Sequence, residues 1–326
     1  MSYTITQESF SSLTSYWIQS SHHLEWGSVF VSPPWLEACW RGVHSETELY
    51  LGVVRQQSDI IGIAPLCLKE GTAFFIGSAD VCDYTDFVVA PGRESDFFNV
   101  LLDDLKPRGI KSMDLKPLRP DSTVVTSLAG IAQNLGYQVS RFQDAVSLEL
   151  DLPATWDEYL GRLTGKQRHE VRRKLRRLGE MGNINYRIIE DKAAVHDNMG
   201  TFLKMFSESR PEKATFMTDQ REFFFRTMAD AMAEAKLLRL GILDLEALPV
   251  AMVMCFDYNG SVYLYNSGYD FQHRSLSVGL LSKALYIKDS IGKGRQKFDF
   301  LKGAEEYKHH LGGKEIPLYS CQIAIK

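Results

Sequence analysis

No stretch of this 326-residue chain approaches the roughly 20 consecutive apolar residues that cross a bilayer. The opening residues, MSYTITQESF, have no basic segment leading into an apolar one, so no secretory signal is expected and a cytoplasmic location is. Cysteine is scarce. Cys39, Cys67, Cys82, Cys255 and Cys321 are odd in number, scattered and without a C-x-x-C spacing, a pattern of buried thiols rather than disulfides or a metal centre. A Walker loop, a Rossmann glycine fingerprint and the Ser/His/Asp hydrolase signatures are all missing. His22-His23 and His309-His310 lack partners at a metal-ligand spacing and read as surface residues, so no metal is expected.

What is present suits an ordinary globular protein. The chain is 44% hydrophobic and 24% charged, and its length allows about two domains. The formal net charge of −4 hides an asymmetry, because eight Lys and Arg stand against one acid, Glu170, between Arg162 and Arg177, leaving 29 basic against 40 acidic residues elsewhere. So dense a run of one sign repels itself and points to an anionic partner, with a solvated face as the plainer alternative. Aromatic residues do not interleave with these cations, so base stacking on the segment is not expected.

Residues 1–45 hold four of the five tryptophans, Trp17, Trp26, Trp35 and Trp40, expected in the core. Ser32 followed by Pro33-Pro34 suits a helix start, with Leu36 and Trp40 on one face. Residues 49–68 read as a hairpin, with strand-like pieces at 73–76 and 84–89, a helix over 94–105, a strand at 113–118, a helix over 123–135 and two short strands within 137–150. The polar, proline-containing 151–155 makes the best boundary, giving domains of 1–150 and 151–326. A helix over 165–181 carries the basic run, with Val171, Leu175 and Leu178 as a narrow apolar stripe. Strand 184–190 follows, then helices over 193–208 and 219–235 and a meander of 237–244, 248–256 and 262–267. Asn259-Gly260 supplies the last hairpin turn.

Residues 261–308 organise the second half. A strand enters a turn rich in Gly, Tyr and Arg and then a long apolar helix marked by Leu280, Ala284, Ile287 and Ile291. A helix whose first turn carries Ser and Gly offers backbone N–H groups, aided by the helix dipole, to a phosphate. Beyond a short strand at 298–300 comes Leu301-Lys302-Gly303-Ala304-Glu305-Glu306-Tyr307-Lys308, and 317–325 alternates as a final strand.

This order of elements resembles the GNAT acyltransferase fold, and within it the tandem-GNAT acetyltransferases of the CelD-like, cellulose-biosynthesis-associated family, related to the FemABX peptidoglycan transferases. Four pieces carry the likeness: Ser32-Pro-Pro-Trp-Leu36, GSADVCDYTDFVV at 77–89, KQRHEVRRKLRRL at 166–178 and DFLKGAEEYK at 299–308. The resemblance implies an α/β (α+β) fold of two tandem GNAT-like domains, each a mixed, mostly antiparallel sheet flanked by helices, the first a degenerate copy that shapes the acceptor cleft. It also implies acetyl-coenzyme A as donor. The GNAT pattern [QR]-x-x-G-x-[GA] falls on Arg274, Ser275, Leu276, Ser277, Val278 and Gly279, with Ser277 in place of the middle glycine.

For N-acyl transfer, a base must free the attacking amine and an acid must serve the leaving group. The resemblance places the Gly-x-Glu-x-Tyr-Lys cluster, with Glu305, Tyr307 and Lys308 as its catalytic candidates, by the active site; there Glu305 suits the base, Tyr307 the acid for the thiolate and Lys302 or Lys308 the anionic groups, with a solvated Glu305–Lys308 pair over a packed Tyr307 as the plainer alternative. Arg274, Ser275, Ser277, Gly279 and Gly268 are candidates for the cofactor, and Tyr269, Asp270, Lys302, Arg168 and Arg172 for substrate. Tyr263 and Tyr265 share a strand face and are expected in the core. The expected activity is N-acyl transfer from acyl-coenzyme A to an amine on a sugar, sugar nucleotide or other envelope or polysaccharide precursor, by a monomer that takes no DNA. Two alternatives stand beside it, a Fem-like transferase using aminoacyl-tRNA and a non-catalytic GNAT-fold binding protein.

Overall fold

A computed structural model describes residues 2–19, 23–43, 47–77 and 80–325. His22 and the Ser78-Ala79 pair of the 77–89 motif lie outside them. The chain divides into two units, Met1–Ala145 with Ile316–Lys326, and Val146–Glu315.

The first unit contains strands β1 (Tyr3–Gln7), β2 (Glu48–Gln56), β3 (Asp59–Lys69), β4 (Thr72–Phe75), β5 (Val88–Val89) and β6 (Ser112–Leu118), and the start of β7 (Gln138–Asp151). Its sheet runs β1-β2-β3-β4-β6-β13, where β13 is Lys314–Ala324, and only the β4–β6 pairing is parallel. Helices α1 (Phe10–Ile18), α2 (Pro33–Val43), α3 (Glu94–Leu105) and α4 (Ala129–Asn134) accompany it. In α3, Phe97, Leu101 and Leu105, with Phe98 and Leu102, fall at helical spacing and are fully buried. Phe87 meets the Phe97 and Phe98 rings edge-on at 5.7 and 5.2 Å. Of the four tryptophans expected in the core, Trp26 and Trp35 are buried, whereas Trp17 and Trp40 are half-buried.

Four readings of this half change. The segment 137–150 forms one 14-residue strand, β7, because no turn residue interrupts its extended backbone. Of 84–89 only Val88–Val89 is strand, and 123–135 opens with a π-helical turn, Val124–Leu128, before α4. The last residues, read with the second half, belong here because Tyr319–Ala324 pair antiparallel with β6 and Cys321, Ile323 and Ile325 join the core of Leu66, Phe97 and Leu115.

The second unit orders its strands as β7-β12-β11-β10-β9-β8, with β8 Ile184–Ile189, β9 Leu238–Leu245, β10 Leu248–Tyr258, β11 Ser261–Tyr269 and β12 Lys297–Lys302. All neighbours are antiparallel except β11 and β12. Its helices are α5 (Trp156–Arg162), α6 (Gly165–Gly179), α7 (Lys192–Glu208), α8 (Pro211–Phe216), α9 (Asp219–Glu234), α10 (Val278–Gly292) and α11 (Glu306–His310). Val250 to Phe256 are all buried, as a continuously apolar central strand requires. Val253 and Cys255 face the core shared with Ala284 and Ile287 of α10, whereas Tyr265 packs its ring against Phe256 of the neighbouring strand and Phe225 of α9. Strand alternation thus divides Tyr263 and Tyr265 from Val262 and Leu264, and both tyrosines are buried.

A chain ended after Glu315 leaves β6 without β13 and opens the Leu66–Phe97–Leu115 core. Such a truncation is expected to abolish cooperative unfolding of the first unit while the second keeps its own, visible as loss of dispersed methyl signals from Leu66 and Leu115 but not from Leu264 and Leu281. Retention of the first set would show that this strand is dispensable.

Candidate active site

Strands β11 and β12 pair only at Ser261, Tyr263 and their neighbour Val262, opposite Lys297 to Asp299. Beyond that point they carry no shared ladder, and the opening between them is where the polar residues gather. The departure has a local cause: β12 is irregular after Asp299, and Leu301 takes a left-handed backbone with φ of 62°. The buried Asp299 carboxylate accepts the Leu301 N–H at 2.8 Å and stabilises that bend. Gly303, with φ of 104°, completes the turn into Glu305 and α11.

Lys308 closes the loop from inside. Its Nζ donates to the carbonyls of Leu301, Lys302 and Gly303 at 3.0, 2.7 and 3.0 Å and meets the Glu305 carboxylate at 2.9 Å. Only 2% of the Lys308 side chain is exposed, against 45% for Glu305. Burial pushes the Glu305 carboxyl up, but the charge and hydrogen bond of Lys308, with Arg210, outweigh it and hold the group below its ordinary value. Glu305 is therefore an anion at neutral pH. Tyr307 is half-buried with its ring 6.5 Å from that of Phe300.

A second cluster forms at the end of β11. Asp270 accepts the Gln272 N–H at 2.9 Å and lies 3.0 Å from His273 Nδ1, capping a 3-10 turn, Phe271–Leu276. Arg274 and Ser275 are exposed on this turn, with the Arg274 guanidinium 4.2 Å over the Phe271 ring. Ser277 follows with φ of 58° and ψ of 32°, the left-handed conformation that the glycine of the GNAT pattern adopts freely and that costs a serine about 1 kcal/mol or more. The Leu280 and Leu281 N–H groups donate to the Ser277 carbonyl at 3.0 Å each, and the start of α10 has no side-chain cap, so Val278 and Gly279 carry the leading amides of this helix.

Close approach explains two glycines. A Cβ on Gly279 would sit 2.8 Å from the Tyr269 ring, and one on Gly268 2.4 Å from the Phe206 amide of α7. Gly279 lies on the first turn of α10; Gly268 is where the sheet touches a helix backbone, a packing position. The basic helix α6 is drawn in by its apolar stripe, because Leu178 and Leu175 share a core with Leu276, Val278 and Leu281. Its cations thus flank the start of α10. Glu170, held down to about 2 by hydrogen bonds from Arg173 and Lys174, neutralises part of the run. Arg172 stays exposed, and Arg168 reaches the Gly161 carbonyl at 3.4 Å.

Residues that the sequence did not single out join the two clusters. Lys283 of α10 is buried; its Nζ donates to the Gly279 carbonyl at 2.7 Å and lies 4.8 Å over the Tyr307 ring. Lys213 of α8 donates to the Ser267 carbonyl at 2.6 Å beneath the Phe206 ring, 4.3 Å away. Burial first, then neighbouring positive charge, lowers Lys283 to about 7 and Lys213 to about 8. Lys283 feels Lys213, Arg210 and Glu305, along with the buried Cys255 thiol, itself pushed up by burial. Lys302 and Asp270 stand at opposite ends of the arrangement, Lys302 through its carbonyl on Lys308. His309 and His310 pair loosely with Glu315 and Glu306 at 3.5 and 3.2 Å, and no metal-binding group exists among the described residues.

Residues 165–309, which contain both clusters, match the family model described as an acetyltransferase (GNAT) domain. The fold as a whole is similar to the crystal structure of FemX, with a TM-score of 0.68 at 12% identity over 98% of this chain and 96% of that one. L-PGS from Bacillus licheniformis gives 0.55 at 10% identity over 89% and 90%, and a tandem GNAT protein from the clavulanic acid biosynthesis pathway 0.51 at 14% over 98% of each. At these identities the likeness is one of fold, and it is GNAT-like in tandem. No curated protein matches the chain in sequence.

Two outcomes follow from this geometry. Between about pH 7 and about 10 the unfolded chain holds a proton on Lys283 that the folded one has released, so this lysine costs most below pH 7 and less as pH rises. Thermal unfolding of Lys283→Met should therefore lie above that of the parent at pH 6, with the gain shrinking towards pH 10; a gain independent of pH would mean that Lys283 titrates normally. Ser277→Gly should stabilise the chain by up to about 1 kcal/mol and Ser277→Val destabilise it by about 1–2 kcal/mol in urea titrations.

Proposed function

We propose that the chain is an N-acyltransferase that moves an acyl group, acetyl in the simplest case, from acyl-coenzyme A to an amine on a sugar or another envelope or polysaccharide precursor. The observation that carries this reading is Lys283, whose ammonium spans from the Gly279 carbonyl on the first turn of α10 to the Tyr307 ring. One helical turn separates the uncapped start of α10 from the Lys283 ammonium over the Tyr307 ring. The thioester supplies an activated acyl group, and the residues around it divide the remaining work.

The amides at the start of α10, Arg274 and the cations of α6 suit the phosphates of the donor, since an uncapped helix start and nearby positive charge favour anions. Gly279 leaves room for the Tyr269 ring against the first turn of α10. Glu305, an anion fixed by Lys308, receives the proton of the attacking amine, directly or through water. Tyr307 returns a proton to the departing sulfur. Lys308 acts as a positioning residue, because its N–H groups are already spent on three carbonyls and Glu305. The polysaccharide side of this reading rests on the resemblance of the sequence motifs, DFLKGAEEYK at 299–308 among them, to CelD-like tandem acetyltransferases.

The Fem-like alternative has one observation of its own, the exposed cations of α6, which suit a nucleic-acid backbone as well as a coenzyme. Donor binding separates the two. Acetyl-coenzyme A at about 100 times its dissociation constant should add roughly 2.7 kcal/mol and raise the unfolding midpoint by several degrees, an effect that Arg274→Glu removes. Glu305→Gln should retain that rise and lower kcat by about 10²–10⁴. No rise with acetyl-coenzyme A, together with RNase-sensitive transfer from charged tRNA, would replace the donor in this reading.

A further inference from the structure

Three of the seven large apolar side chains exposed among the described residues, Met181, Leu248 and Phe271, gather at one end of the second unit's sheet, and they are 54, 69 and 50% exposed. Single apolar side chains on a surface need no account, but a cluster does. Main-chain bonds assemble this one. Beyond α6 the Asn183 N–H donates to the Glu246 carboxylate at 2.7 Å, and the Glu246 N–H donates to the Asn183 carbonyl at 3.0 Å, which ties the end of the basic helix to the turn between β9 and β10. Met181 lies two residues before this link and Leu248 two after it. On the neighbouring strand the Asp270 N–H donates to the Val250 carbonyl at 2.9 Å, so Phe271 leaves β11 beside the start of β10.

Cations border the cluster. Arg172, Arg173, Arg176 and Arg177 of α6 are exposed; Glu170 holds Arg173 and Glu180 lies 3.6 Å from Arg176, while Arg172 and Arg177 have no carboxylate at ion-pair distance among the described residues. The acids within the adjoining turns are engaged, Glu246 with Asn183 and Asp270 with Gln272 and His273. We propose that this end of the second unit docks on the surface of an anionic lipid bilayer, with the arginines of α6 among the headgroups and Met181, Leu248 and Phe271 at the acyl boundary. The mixture of side chains selects that partner. Arginines alone would suit a nucleic acid, but a nucleic acid offers nothing to Met181 and Leu248, and α6 carries no Phe, Tyr or Trp for base stacking. Apolar side chains standing out at turns need a fitted cavity in a protein partner, whereas fluid acyl chains close around them. The proposal does not depend on the N-acyl transfer reading.

The test is co-sedimentation of the full chain with vesicles of phosphatidylcholine alone and of phosphatidylcholine with about 30% phosphatidylglycerol. The anionic vesicles should bind the chain at least about tenfold more strongly, and added salt should remove most of that difference. Charge reversal by Arg176→Glu with Arg177→Glu should lower the partition by at least about tenfold, and Met181→Ser with Leu248→Ser by about threefold or more, each with an unchanged unfolding midpoint. Insertion is read from bimane on Leu248→Cys, which takes the label because the five native cysteines are buried. Its emission should move to the blue with anionic vesicles, while the same label on Phe223→Cys, exposed on α9 across the sheet, stays in water. Equal partition on both vesicle types, charge reversal without effect, matching shifts at both labels, or binding to an RNA homopolymer with none to vesicles would overturn the bilayer surface. None of these readouts involves a donor or acyl transfer, so their failure refutes only this inference.

Discussion

The ammonium of Lys308 is the interaction on which the site depends. Leu301, Lys302 and Gly303 expose three successive carbonyls where the β12 ladder fails, and a buried chain cannot leave such groups unpaired without a cost of about 1–3 kcal/mol each. One lysine satisfies all three, and its charge in turn is balanced by Glu305. The left-handed Leu301, the parting of β11 from β12 and the fixed position of Glu305 are parts of one solution. A neutral side chain at 308 cannot reproduce it, and arginine spreads its donors over a flat fork instead of gathering three around one nitrogen.

Conformation and close packing do similar work at the other end of the fork. The left-handed Ser277 holds the shape that a glycine would take for less, and it does so just before helix amides that have no cap. Tyr269 lies so close to Gly279 that no larger residue fits there, which ties the end of β11 to the first turn of α10. The strand end and the helix start are thereby packed directly against one another.

The order of elements was legible because the signals are local. Asn259-Gly260 marks the hairpin, Leu280, Ala284, Ile287 and Ile291 mark α10, and Val171, Leu175 and Leu178 mark the buried edge of α6. Lys283 was not legible, since a lysine at one position of an amphipathic helix reads as a solvated face, and only the burial of α10 by its neighbours reverses that reading. Lys213 lies on a six-residue helix that carries no periodic signal at all. The membership of 316–326 in the first unit was equally hidden, because alternation marks 317–325 as a strand without naming the strand it pairs with. Composition located the basic run, but not Leu178 packing with Leu276 and Leu281, which brings those cations beside the turn.

Charge distribution joins these pieces into a directional argument. Outside residues 162–177 the chain carries 29 basic and 40 acidic residues, so its general field repels anions. Within the second unit the balance reverses around α10, with the exposed arginines of α6 on one side and Lys213, Lys283 and Arg210 in and beside the fork. The exposed cations act at range and are weakened by salt; the buried ones act only on a group that has already shed its water, and are screened far less. An anionic molecule is thus attracted to the surface beside α10 without being selected there. Beneath that surface Lys283 is buried without a carboxylate at ion-pair distance among the described residues, and burial, more than any neighbouring charge, lowers it to about 7.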